Sequence, residues 1–122
     1  MLAIGKDCTI EQAVEIEEKA STLKTWDQVF NAWRLFNQCD DGAIAEGFSE
    51  SITLILSTNW TEKGHLMELI EQKPNFEKFI IMHIDETVPS DRLSKLGHTA
   101  KMQCTDSTHD FCMKVLEKAT AQ

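Results

Sequence analysis

Between Trp26 and Phe36 the residues Trp26, Val29, Phe30, Trp33 and Phe36 recur three and four positions apart, a spacing that puts all five on one face of a helix. Such a stripe must be buried, and it has the period of a helix rather than the alternation of a strand. Thr25 stands just before it with Gln28 three positions on, and the same pattern recurs at Thr9 and Gln12. Each is a capping box, in which a hydroxyl accepts from a free helix amide and the Gln side chain returns to the cap. Two helix starts follow, one near 10–21 and one at 26–36.

The first helix is expected to turn Ile10, Ala13, Val14 and Ala20 inward, with glutamates on the opposite face. Cys39-Asp-Asp-Gly42 breaks the pattern, and Asp40 or Asp41 is expected to cap a third, central helix that buries Ile44, Phe48, Ile52, Ile55 and Leu56. Thr61 is read as the cap of a fourth helix through Leu66, Leu69 and Ile70, which Pro74 ends. Asn75 is read as the cap of a fifth, carrying Phe76, Phe79, Ile80, His83 and Ile84. Val88-Pro89 interrupts again, Ser90 is read as the cap of a sixth helix with Leu93, Leu96 and Ala100, and the last carries Phe111, Cys112, Val115, Leu116 and Ala119. The pattern contains no strand. A chain of 122 residues can build one sizeable core, so the expectation is all-α: an irregular bundle of about six to seven short helices in a single domain, 1–122.

Twenty acidic against twelve basic residues give a net charge of -8, which repels a phosphate backbone and argues against nucleic acid as a partner. The same acidity steers the chain toward a basic protein, or simply keeps a solvated surface soluble. With no apolar run of eighteen residues, no membrane span is expected. Met1-Leu-Ala-Ile-Gly-Lys6 is too short and too weakly apolar for a signal peptide, so export requires a leader already removed.

Four cysteines form an even set. In an oxidising compartment they pair, and an antiparallel first helix pair places Cys8 and Cys39 at one end, leaving Cys104 to join Cys112 across a turn. The alternative is four buried thiols in a reducing cytoplasm.

Two clusters carry chemistry-bearing groups. Asp40, Asp41 and Glu46 crowd the start of the third helix, where carboxylates can hold a hard cation or merely satisfy helix amides. His83 lies on the apolar stripe of the fifth helix beside Asp85, and a buried imidazole there needs an acid from 40–46 as partner. These residues, Asp40, Asp41, Glu46, His83 and Asp85, are the candidate binding residues. A metal-binding domain or metal-dependent enzyme on Asp41, Glu46, His83 and Asp85 is the alternative reading. Cys104, His109 and Cys112 offer three soft ligands, though not at the usual Cys-x2-Cys spacing. Ser49 lacks the Gly-x-Ser-x-Gly elbow, and neither a P-loop nor a dinucleotide fingerprint is present. No catalytic residue and no cofactor are therefore expected.

A small acidic helical domain with two expected disulfides and no catalytic motif resembles the helical immunity proteins that neutralise type VI secretion amidases in the Gram-negative periplasm. The resemblance covers size, helix content and cysteine usage, and no motif of that family can be laid on Cys39 to Ser49 or His83 to Thr87. It implies a non-enzymatic periplasmic or secreted inhibitor that occludes a basic secreted effector. A helical dimerisation module, making a homodimer, is the third expectation.

Overall fold

Thr9 opens the chain's first helix as its cap: its hydroxyl accepts from the Gln12 amide at 3.1 Å, and the Gln12 side chain accepts from the Thr9 amide at 3.0 Å. The computed structural model to which this belongs describes residues 7–122. The first six, on which the reading of a missing leader rests, lie outside the described residues. The helices are α1 (Ile10–Lys19), α2 (Trp26–Phe36), α3 (Gly42–Thr58), α4 (Lys63–Gln72), α5 (Asn75–Met82), α6 (Ser90–Met102) and α7 (His109–Thr120), with no strand among the described residues. This is the expected all-α bundle, and one continuous apolar core draws on all seven helices.

At α2 only half of the capping box forms. Thr25 accepts from the Gln28 amide, but the Gln28 side chain accepts from Lys24 rather than returning to Thr25. The α2 stripe is buried except for Trp33, which is half-buried and packs with a ring-centroid distance of 5.1 Å on Phe76. Asp41 caps α3, accepting from the Gly42 amide, and Gly42 takes a φ of 54°, a left-handed conformation that a side chain would strain.

α3 is the central helix. It buries Ile44, Phe48, Ile52, Ile55 and Leu56 together with Ser49, Ser51, Thr53 and Ser57, so its interior positions extend well round the helix. Gly47 lets the 3₁₀ turn Ala20–Thr22 lie directly on it: a Cβ at position 47 would stand 2.8 Å from the Ala20 Cβ. The Ser51 hydroxyl lies 2.5 Å from the Ala20 carbonyl and accepts from the Leu23 amide at 3.1 Å, pinning the same turn. Arg92 of α6 reaches Glu50 of α3 at 2.7 Å.

Three helix starts differ from the expected caps. Thr61 lies inside a 3₁₀ turn, Trp60–Glu62, that leads into α4, so it caps nothing. Pro74 and Pro89 occupy the cap positions of α5 and α6, leaving Asn75 and Ser90 as first helical residues with no side-chain cap bond. The register of α1 is also corrected. It buries Ala13 and Ile16, with Ala20 just beyond, while Ile10 and Val14 point out at 73% and 59% exposure.

The cysteines pair as Cys8–Cys39 and Cys104–Cys112, with Cα separations of 5.1 and 6.1 Å. The first ties the start of α1 to the turn before α3, and the second closes the α6–α7 connection. Both pairs fit a protein that folds in an oxidising compartment. No described helix is long and apolar enough to cross a membrane.

Candidate functional site

His83 is the C-cap residue of α5, buried at 3% exposure on the same apolar side as Phe79. Its ring meets Phe79 edge-on at 4.7 Å and Phe48 of α3 at 5.8 Å, so one polar ring ends a run of aromatic contacts that begins at Phe30 on α2. An imidazole so placed must find hydrogen-bond partners within the protein. It finds two. Nε2 lies 2.9 Å from Asp40 Oδ2, and Nδ1 lies 2.7 Å from the Ser49 hydroxyl. Ser49 also reaches Asp85 Oδ2 at 3.0 Å, and Asp85 accepts through its other oxygen from the amide (2.9 Å) and hydroxyl (2.5 Å) of Thr87.

The line Asp40–His83–Ser49–Asp85 thus joins the turn before α3, α3 itself and the connection between α5 and α6. Its proton count is restrictive. Three contacts need three protons and the Ser49 hydroxyl supplies one. The other two come from the imidazole, or one from the imidazole and one from a carboxyl group. The line's three contacts are satisfied, Asp40 Oδ1 staying buried without a partner, and together they hold the four side chains in a fixed geometry.

Serine, histidine and aspartate in bonded sequence invite comparison with an acyl-transfer triad, but the surroundings differ from what that chemistry needs. A nucleophile must meet its substrate. Ser49 is 1% exposed and its hydroxyl is already held between His83 and Asp85. The arrangement is a buried polar brace.

Of the candidate residues, Asp40, His83 and Asp85 are brought together, and the acid partner expected from 40–46 is Asp40. Asp41 stays exposed at the α3 cap and Glu46 is exposed on α3, so neither joins the brace. The four-residue metal set is therefore not assembled, and among the described residues no three His, Cys, Asp or Glu side chains group to hold a metal ion. Cys104 and Cys112 are spent on their disulfide, which removes the soft-ligand set with His109. The member missed by reading the sequence is Ser49. The available signal was a serine next to Phe48 within the core-facing span of a helix, where a hydroxyl must be bonded.

Comparison with protein-family models, with curated proteins and with solved structures finds no match. What the chain can bind is set by its own surfaces. The most distinctive of these is α1, where Ile10 and Val14, one turn apart and both exposed, stand among the exposed Glu11, Glu15, Glu17 and Glu18.

Proposed function

We propose that this chain is a non-enzymatic binding protein of an oxidising compartment that engages a basic protein partner through the outer face of α1. The observation that carries this reading is the exposure of Ile10 and Val14 within a ring of glutamates. Burying two branched aliphatic side chains at an interface is worth about 1.5–3 kcal/mol each, and the surrounding carboxylates select a cationic surface and speed its approach. The net charge of -8 supports the same polarity of partner, and the two disulfides support export. An immunity-type inhibitor, occluding a secreted basic toxin in the periplasm, is the specific form that the resemblance in size, helix content and cysteine usage supports.

The test is co-purification under oxidising conditions, comparing the wild type with Val14→Asp. Val14 is exposed, so the variant is expected to keep its melting temperature while losing a basic partner that the wild type retains. Retention of that partner by the variant, or a defined hydrolytic or transferase activity in the pure protein, would refute the reading.

A further inference from the structure

The remaining surfaces include one whose charge runs against the rest of the molecule. α5 and α7 lie side by side, and the cleft of about 400 Å³ along their outer edge is lined by Pro74, Ile81 and Met82 together with Lys78, Lys114, Lys118 and Glu77. Three ammonium groups against one carboxylate leave this lining two charges positive in a chain whose net charge is -8. Lys114 is ion-paired with Glu77, which together with Asp110 favours its charged form. Lys78 and Lys118 have no carboxylate within ion-pair distance among the described residues, although Lys118 is half-buried.

The walls between these charges are apolar. Met82 is among the exposed large apolar residues, Ile81 is half-buried, and the lysine stems add methylene surface beneath their ammonium groups. Methionine in an open cleft adapts to the shape of an aliphatic chain. The volume falls in the range typical of small-molecule sites. Asp110, close enough to act on Lys114, offsets one of these charges and leaves the cleft about one charge positive, while acidic residues more than about 8 Å away are largely screened at physiological ionic strength.

We infer that the α5–α7 cleft binds an anionic amphiphile, a medium-length aliphatic chain ending in a carboxylate. The aliphatic part lies on Ile81, Met82 and Pro74, and the carboxylate is taken by Lys118 and Lys78. This site is separate from the α1 surface, and its ligand has the opposite charge from the partner proposed there.

The test uses sodium decanoate below its micellar concentration, with methyl-labelled methionine observed by NMR. Decanoate is expected to shift the Met82 methyl resonance saturably while leaving exposed Met102 in place, and decanol at the same concentration is expected to bind at least tenfold more weakly. The double variant Lys78→Gln/Lys118→Gln keeps the methylene stems at exposed Lys78 and half-buried Lys118, and is expected to keep the wild-type melting temperature and to lose at least tenfold in decanoate affinity. The inference is overturned if Met82 does not shift, if Met82 and Met102 shift together without saturation, or if the double variant or decanol binds as well as the wild type binds decanoate. None of these outcomes bears on Val14→Asp, so the two proposals fail separately.

Discussion

Replacing His83 by Leu tests whether the buried network braces the fold. Leu fills much of the same space and gains apolar contact with Phe48 and Phe79, but it removes the group 2.9 Å from Asp40 Oδ2. The Asp40 side chain is 11% exposed and its other oxygen, Oδ1, is already buried without a partner, so the carboxylate is left with little to offset its burial. Stranding a buried acceptor by removing its partner costs about 1–3 kcal/mol, and more where the acceptor is charged. Partial access of water to Asp40 and the apolar gain of Leu hold the expected loss to about 3 kcal/mol. For a chain of this length that lowers the melting temperature by roughly 10 °C. Thermal unfolding followed by circular dichroism measures it. The double variant Asp40→Ala/His83→Leu removes both partners and should lose less stability than the sum of the single losses, with a coupling of about 1–3 kcal/mol. A His83→Leu protein that melts within a degree or two of the wild type, or a cycle with no coupling, would refute the brace.

Three further outcomes follow from the geometry. Gly47→Ala forces a Cβ to 2.8 Å from the Ala20 Cβ and close to the backbone of Ser21; overpacking of about 1–3 kcal/mol outweighs the about 0.5–1 kcal/mol gained in helix propensity, so the melting temperature should fall, recover in part with Ala20→Gly, and not rise. Removing Cys8–Cys39, 31 residues apart, should cost about 3.7 kcal/mol against about 2.6 kcal/mol for Cys104–Cys112, 8 apart, so chemical denaturation of the two double-Ala variants should rank them in that order. His65 bonds to Asp27 at 2.7 Å and Glu68 at 3.1 Å, and the hydrogen bond to Asp27 is the main cause raising its pKa above the ordinary 6.5. Its contribution to stability is therefore fully present below pH 6.5 and is lost as pH rises through the raised value. Because the pair is exposed this amounts to less than about 1 kcal/mol, and an NMR titration should show the His65 midpoint falling in Asp27→Asn.

The α2 stripe was legible because its large apolar residues sit at helical spacing and no second face competes with them. α1 was misread for the opposite reason. Ile10 and Val14 satisfy the same period as Ala13 and Ile16, and sequence alone favours the larger side chains as core. The structure instead turns Ile16 inward beside Ala13 and Ala20 and leaves Ile10 and Val14 on the outer face. The caps at Asn75 and Ser90 were misplaced by one residue because each stands just after a proline that itself takes the cap position. An acid partner for His83 followed from its burial. That Ser49 would be the second partner did not, since the contact spans 34 residues and local sequence shows only that a hydroxyl beside Phe48 must be bonded to something. The lysine cleft was invisible for the same reason, because it exists only once α5 and α7 lie together.

The buried polar groups of α3 make a case for where function can reside. An all-apolar central helix could rotate or slide among its neighbours at little cost, since hydrophobic contact is not directional. Ser51 fixes it to the turn after α1, Ser49 ties it to His83 and Asp85, and Glu50 and Thr53 receive Arg92 from α6. Each bond has one satisfactory geometry, so together they select one rotation of α3 and with it the placement of the helices packed on it. The interior polar residues are thereby occupied in specifying the fold. What remains free to meet another molecule is the outer surface: the glutamate-rimmed aliphatic pair on α1 and the lysine-rimmed cleft of α5 and α7, held in place by a frame that the His83 variants would loosen.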